Sequence, residues 1–153
     1  MTAEGVYQIF KDYLDNQGYK YTTDDGRLSI SLTVRGEDLP MPTNIRVYAD
    51  LNIVQIISPI PGCIPEDRRI DAALAVAIAN YRMIGGCFDL NMNSGEICYR
   101  MAQAYHNTEF SMELARYMVQ MTFHMADRYN DRFYMLGKGA MSLEKFIEAD
   151  QQH

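Results

Sequence analysis

The chain has 153 residues, with 20 acidic and 14 basic side chains, for a formal net charge of −6. At 48% hydrophobic and 22% charged residues it reads as one globular domain over residues 1–153, large enough to bury roughly 70% of its unfolded surface. That charge, with no basic run longer than Arg68-Arg69, excludes nucleic acid as a partner, because phosphate binding needs a basic face.

The start, MTAEGVYQIFKDYL, lacks the basic block and apolar run of a secretion signal. The longest apolar stretch, AALAVAIA at 72–79, is too short to span a bilayer. Three cysteines without C-x-x-C spacing read as free thiols in the cytoplasm.

Along the chain, Val6, Ile9, Phe10, Tyr13 and Leu14 recur at helical spacing, so 4–16 is an amphipathic helix ended by Gly18. A strand is expected at 19–22, then a turn at Asp24-Asp25-Gly26. Leu28, Ile30, Leu32 and Val34 alternate with polar residues as a strand. The stretch RGEDLPMP at 35–42 reads as a loop, its two prolines arguing against both helix and central strand. Residues 43–58 read as a hairpin turning at 49–52, with Tyr48 opposite Ile53, Val47 opposite Val54 and Ile45 opposite Ile56.

After the connector PIPGCIP, Pro65 suits the first turn of a helix and Glu66 and Asp67 its positive end. That helix is expected to run to about Met83 and to pack on the sheet through Ile70, Ala73, Leu74, Ala77, Tyr81 and Ile84.

DLNMNSGEICYR at 89–100 begins like a calcium loop. An EF-hand needs glycine at position six and a bidentate glutamate at twelve. Here Ser94 and Arg100 stand at those positions and Glu96 takes the apolar position eight. Read instead as a hairpin over 86–102, Phe88 faces Met101, Leu90 faces Tyr99 and Met92 faces Ile97, with Asp89 meeting Arg100. The hairpin is the better reading.

Residues 109–136 form a long helix with two apolar stripes. Phe110, Leu114, Tyr117, Met118, Met121, Met125 and Tyr129 make one. Met112, Val119, Phe123 and Ala126 make another, roughly 150° away at about 100° per residue. Glu113, Arg116, Gln120, His124 and Asp127 form the solvated strip. Gly137 caps this helix, and Ser142 begins a final short one with Leu143, Phe146 and Ile147.

The order α-β-β-β-β-α-β-β-α-α is an α+β pattern. The segment AIANYRMIGGCFDLNMNSGEICYRM, with Asn80 late in the middle helix, a Phe-x-Leu strand at Phe88 and Leu90 and a polar turn at Gly95, resembles the YbjN-like family, often described as candidate bacterial sensory-transduction regulators. DRYNDRFYMLG resembles that family's closing helix. The resemblance implies the type III secretion chaperone fold, an antiparallel sheet of about five to six strands with helices packed on one face. It also implies a small, often dimeric binding protein, and it carries over no catalytic residue.

No constellation here supports catalysis. Cys63, just before a helix start, could act as a nucleophile with His106 or His124, but reads better as a small residue in a tight connector. A zinc site from Cys63, Cys87, Cys98 and a histidine has spacing unlike structural zinc sites. LGKGA at 136–140 lacks the residues of a phosphate loop, so no cofactor is expected. The first functional reading is therefore a non-enzymatic, chaperone-like or regulatory protein that holds another polypeptide through apolar surface. A small-molecule sensor whose pocket includes Tyr48, Tyr81 and Tyr99 is the alternative, and an enzyme using Cys63 comes third. Met112, Val119 and Phe123 read equally as core or as interface, and a homodimer through them is the favoured expectation, because one sheet can cover only one side of so long a helix.

Overall fold

The computed structural model describes residues 1–152. The first helix, α1 (Ala3–Asn16), starts at Thr2, whose hydroxyl accepts the Gly5 N–H, and buries Val6, Tyr7, Phe10, Tyr13 and Leu14. Gly18 ends it at φ 75°, where a side chain would be strained.

Six strands follow, β1 (Thr22–Asp24), β2 (Ser29–Arg35), β3 (Pro40–Tyr48), β4 (Ile53–Pro59), β5 (Cys87–Leu90) and β6 (Ile97–Ala104), in one antiparallel sheet of order β1-β2-β3-β4-β6-β5. Between β4 and β5 lies α2 (Arg69–Asn80), and after β6 come α3 (Met112–Lys138) and α4 (Leu143–Gln151). This is the α+β architecture that the resemblance implied.

Strict alternation sends Ile30, Leu32, Ile45, Val47, Val54, Ile56 and Tyr99 into one core, where α1 and α3 cover them. On the opposite face, strand side chains such as Ser31, Thr33, Asn44 and Gln55 stay exposed or half-buried.

The first hairpin register is as expected: Tyr48 pairs Ile53, Val47 pairs Val54 and Ile45 pairs Ile56. The stretch 35–42 is only partly a loop. Pro40 and Pro42 belong to β3, opposite Arg35 and Thr33 of β2. They fit a central strand because the β3–β4 ladder ends at Asn44 opposite Ile57. Beyond that point the Ser58 hydroxyl, 3.1 Å away, takes the Pro42 carbonyl, so no ladder bond on that side asks for the missing N–H. Leu28 also leaves the strand, adopting φ 49° beside a short 3-10 turn.

The second hairpin is shifted by two residues from the expected register. Phe88 pairs Tyr99 and Leu90 pairs Ile97. A shift of two keeps every side chain on its face, and Arg100 still reaches Asp89, at 2.5 Å. The wider loop is closed by Asn91, whose side-chain oxygen accepts the Asn93 and Ser94 N–H groups. Asn91 is thus engaged by backbone and Asp89 by Arg100. Gly95, at φ 78°, lets the loop touch Ile64, whose N–H donates to the Gly95 carbonyl at 2.7 Å; a Cβ there would overlap the Ile64 backbone.

The second stripe of α3 is largely covered within the chain. Val119 is 1% exposed, and the half-buried Phe123 packs tilted against Tyr19, just beyond α1, with ring centroids 5.8 Å apart. Met112 remains exposed in the first turn. The expected interface of Met112, Val119 and Phe123 therefore does not form one open surface, because α1 lies beside α3 on the sheet and gives that helix a second wall. Further along, α4 places Phe146 against Phe133 at 5.2 Å. The cap of α3 is Gly139 at φ 77°, while Gly137 is buried in the helix against Ile64.

Candidate functional site: the outward face of α2

The face of α2 that packs inward is the reverse of the one expected. Ala72, Ala75, Val76 and Ala79 are buried, while Ile70 is 73% and Leu74 49% exposed. The helix stops at Asn80, short of the expected Met83, so Tyr81 (84% exposed) and Ile84 (100%) lie beyond its last residue. Size explains the inversion. The helix lies against β5 and the neighbouring helices so closely that alanines fit the contact and the larger residues do not.

Polar clamps at both ends hold it in this orientation. At the start, Arg69 donates Nε to the Ile64 carbonyl at 3.0 Å and Nη1 to the Met92 and Asn93 carbonyls at 3.2 and 2.9 Å. At the end, the Asn80 side chain accepts the Phe88 N–H at 2.8 Å and donates to the Phe88 carbonyl at 3.0 Å. Asn80 thus pairs with the edge strand β5 as another strand would. With both ends fixed, the outward apolar stripe is built into the fold.

Leu74, Ala77, Ile78 and Tyr81 line one side of an open groove of about 590 Å³, and Leu143 and Ile147 of α4 line the other. Arg82 and Asp150 supply charge at its borders. Asp150 also accepts the Tyr129 hydroxyl at 2.5 Å, tying α4 to α3; burial and then that carboxylate push the Tyr129 phenol up to about 12.

The other candidates lie apart. Cys63 is exposed at a small cleft lined by Ile60, Ile64, Phe133 and Lys138, with neither His106 nor His124 among its walls. Cys87 and Cys98 sit on the outer sheet face, where burial raises both thiols, Cys98 to about 11, which disfavours the reactive thiolate. Among the described residues no group of three or more metal-ligating side chains could hold an ion, and no helix is long and apolar enough to cross a membrane. Tyr99 is in the core, Tyr48 half-buried on the sheet and Tyr81 at the surface, so these three do not line one pocket. The methionines divide likewise: Met118 and Met125 are core, Met92 and Met112 are exposed.

No family model and no curated protein sequence matches the chain. Solved structures match its shape, among them the following two. A crystal structure of YbjN from E. coli, described as a candidate transcription regulator, superposes with a TM-score of 0.60 at 11% identity, covering 95% of this chain and 92% of that one. The fold is YbjN-like. A chain of the ExsC–ExsE complex gives a TM-score of 0.61 at 12% identity over 86% of this chain and 96% of that one. At these identities the likeness concerns the fold, and it agrees with the chaperone-like architecture expected for the YbjN-like family. The site on α2 escaped sequence reading because size alone assigned its large residues to the core. Asn80 was the one visible signal, a polar residue late in an otherwise apolar helix.

Proposed function

We propose that this protein is a non-enzymatic, chaperone-like or regulatory binding protein of the cytoplasm that pairs with a second copy through the outward face of α2. The observation that carries the reading is an apolar helix face turned to water while Arg69 and Asn80 clamp the helix at both ends. Monomeric proteins rarely leave such a patch bare, and an isologous contact covers it with the same surface of a partner.

Charge supports that choice of occupant. Asp71, in the first turn of α2, and Arg82, just past its last residue Asn80, are both exposed and stand near opposite ends of the outward face, Arg82 at the border of the groove. Two copies of α2 packed antiparallel bring each Asp71 beside the other copy's Arg82. That a chain of this fold occurs in an ExsC–ExsE complex supports the wider reading, in which the protein also holds a different polypeptide.

Light scattering on the full chain tests the pairing. Leu74→Glu and Tyr81→Glu change exposed side chains, so both variants should keep the native circular dichroism and run as monomers where the unaltered protein runs as a dimer. An unaltered protein that stays monomeric at high concentration overturns the reading, and so does a dimer that ignores both substitutions.

A further inference from the structure

At another rim of the sheet, far from α2 in chain order, three local anomalies meet. Arg46 of β3 lies flat against Tyr48, its guanidinium 4.6 Å from the ring centroid. Its Nε–H is buried without an acceptor, and no carboxylate lies within ion-pair distance of it. Leu28 sits beside it at φ 49° and ψ 50°, a left-handed conformation rare for leucine, of the kind that gathers at ligand sites. Both residues help line an open groove of about 430 Å³, together with Arg27, Tyr48, Asp50 and Leu51.

Charge around the groove is unbalanced. Arg27 is held only loosely by Asp24, at 3.8 Å with both side chains mostly exposed, a pair that contributes little. Asp50 is the one acidic residue in the wall, against two arginines. In a chain with net charge −6, two weakly paired guanidinium groups converging on one groove run against the general trend. A guanidinium with one buried N–H unsatisfied is costly, and an oxyanion supplies the planar pair of acceptors that a guanidinium fits best. The outer sheet position of Arg46 leaves that approach open, since α1 and α3 cover the other face.

We infer that this groove is an oxyanion-binding site, in which Arg46, stacked on Tyr48, and Arg27 grip a carboxylate or phosphate group. The same chemistry is offered by a free small anion and by an acidic side chain of a bound polypeptide. The site is separate from the α2 face, and neither reading depends on the other.

Titration of the full chain followed by amide chemical shifts tests it, with inorganic phosphate in one arm and a blocked glutamate-containing peptide in the other. Saturable shifts at Leu28 and Leu51 are expected, weakening as salt is added. Tighter binding of phosphate identifies a free anion as the source, and tighter binding of the peptide a polypeptide carboxylate. Arg46→Gln should weaken binding about tenfold, the loss of one charge-assisted contact, with the fold unchanged by circular dichroism. Asp50→Asn should tighten it by removing the opposing charge. The inference fails if neither probe gives saturable shifts at these amides, or if Arg46→Gln leaves the affinity unchanged.

Discussion

Replacing Asn80 by alanine removes two hydrogen bonds at once, the one accepted from the Phe88 N–H and the one donated to its carbonyl. Phe88 is 2% exposed and stands at the centre of an aromatic cluster, 5.0 Å from Phe133, 5.3 Å from Tyr129 and 5.4 Å from Tyr99. The substitution therefore frees the end of α2 and the edge of β5 together. Leaving two backbone groups of a part-buried strand without partners costs about 1–3 kcal/mol, toward the lower end if water reaches them. For a chain of this size that lowers Tm by roughly 3–10 °C. Asn80→Asp keeps an acceptor for the N–H but turns a charge toward the Phe88 carbonyl, so it should cost at least as much. Thermal unfolding gives the magnitude, and hydrogen exchange at the Phe88 amide gives the location. A shift of Tm within error, or a Phe88 amide as protected as before, would refute the idea that Asn80 clamps the helix to the sheet.

Val119→Asp should destabilise the monomer itself by about 3 kcal/mol or more, because it puts a charge in the core, whereas Met112→Asp should change stability by no more than about 0.5 kcal/mol; denaturant titration separates the two. Phe146→Ala should cost about 3–5 kcal/mol by emptying the aromatic cluster, and Asp150→Asn only about 1 kcal/mol, read by the same titration. Tyr7, Tyr21 and Tyr129 are each pushed from 10.0 up to about 12, first by burial and then by the carboxylates of Asp25, Asp15 and Asp150. Because the folded state holds these phenols protonated, their contribution is whole below pH 10 and is lost as pH rises from 10 through about 12. Tyrosinate absorbance should rise together with unfolding in that window, and a protein equally stable at both ends of it would contradict the assignment.

Several elements were legible because their signal is local. The alternation in 28–34 and 43–58 selects strands, and the matched apolar pairs of 45–48 with 53–56 leave one register that keeps every large side chain on the core face. The cap at Ser142 is equally local, its hydroxyl accepting the N–H three residues on, whereas the long helix begins at Met112 behind Ser111, later than the expected 109. The second hairpin shows where such reasoning stops. Alternation chose the correct faces, but the turn length came from contacts that the hairpin does not contain, the Arg69 guanidinium on its carbonyls and Ile64 against Gly95.

The sequence by itself determined the α+β class, the order of the elements, the inward side of most strands and the unsuitability of 89–100 as a calcium loop, since each depends on periodicity, capping or spacing within a few residues. Only the tertiary structure decided which face of α2 is buried, which wall covers Val119, and that Arg46, Arg27 and Leu28 share a groove. Those outcomes depend on how closely two elements approach across the fold. At the contact of α2 with β5 that distance admits alanine and leaves isoleucine and leucine in water, so large apolar residues of the helix became surface.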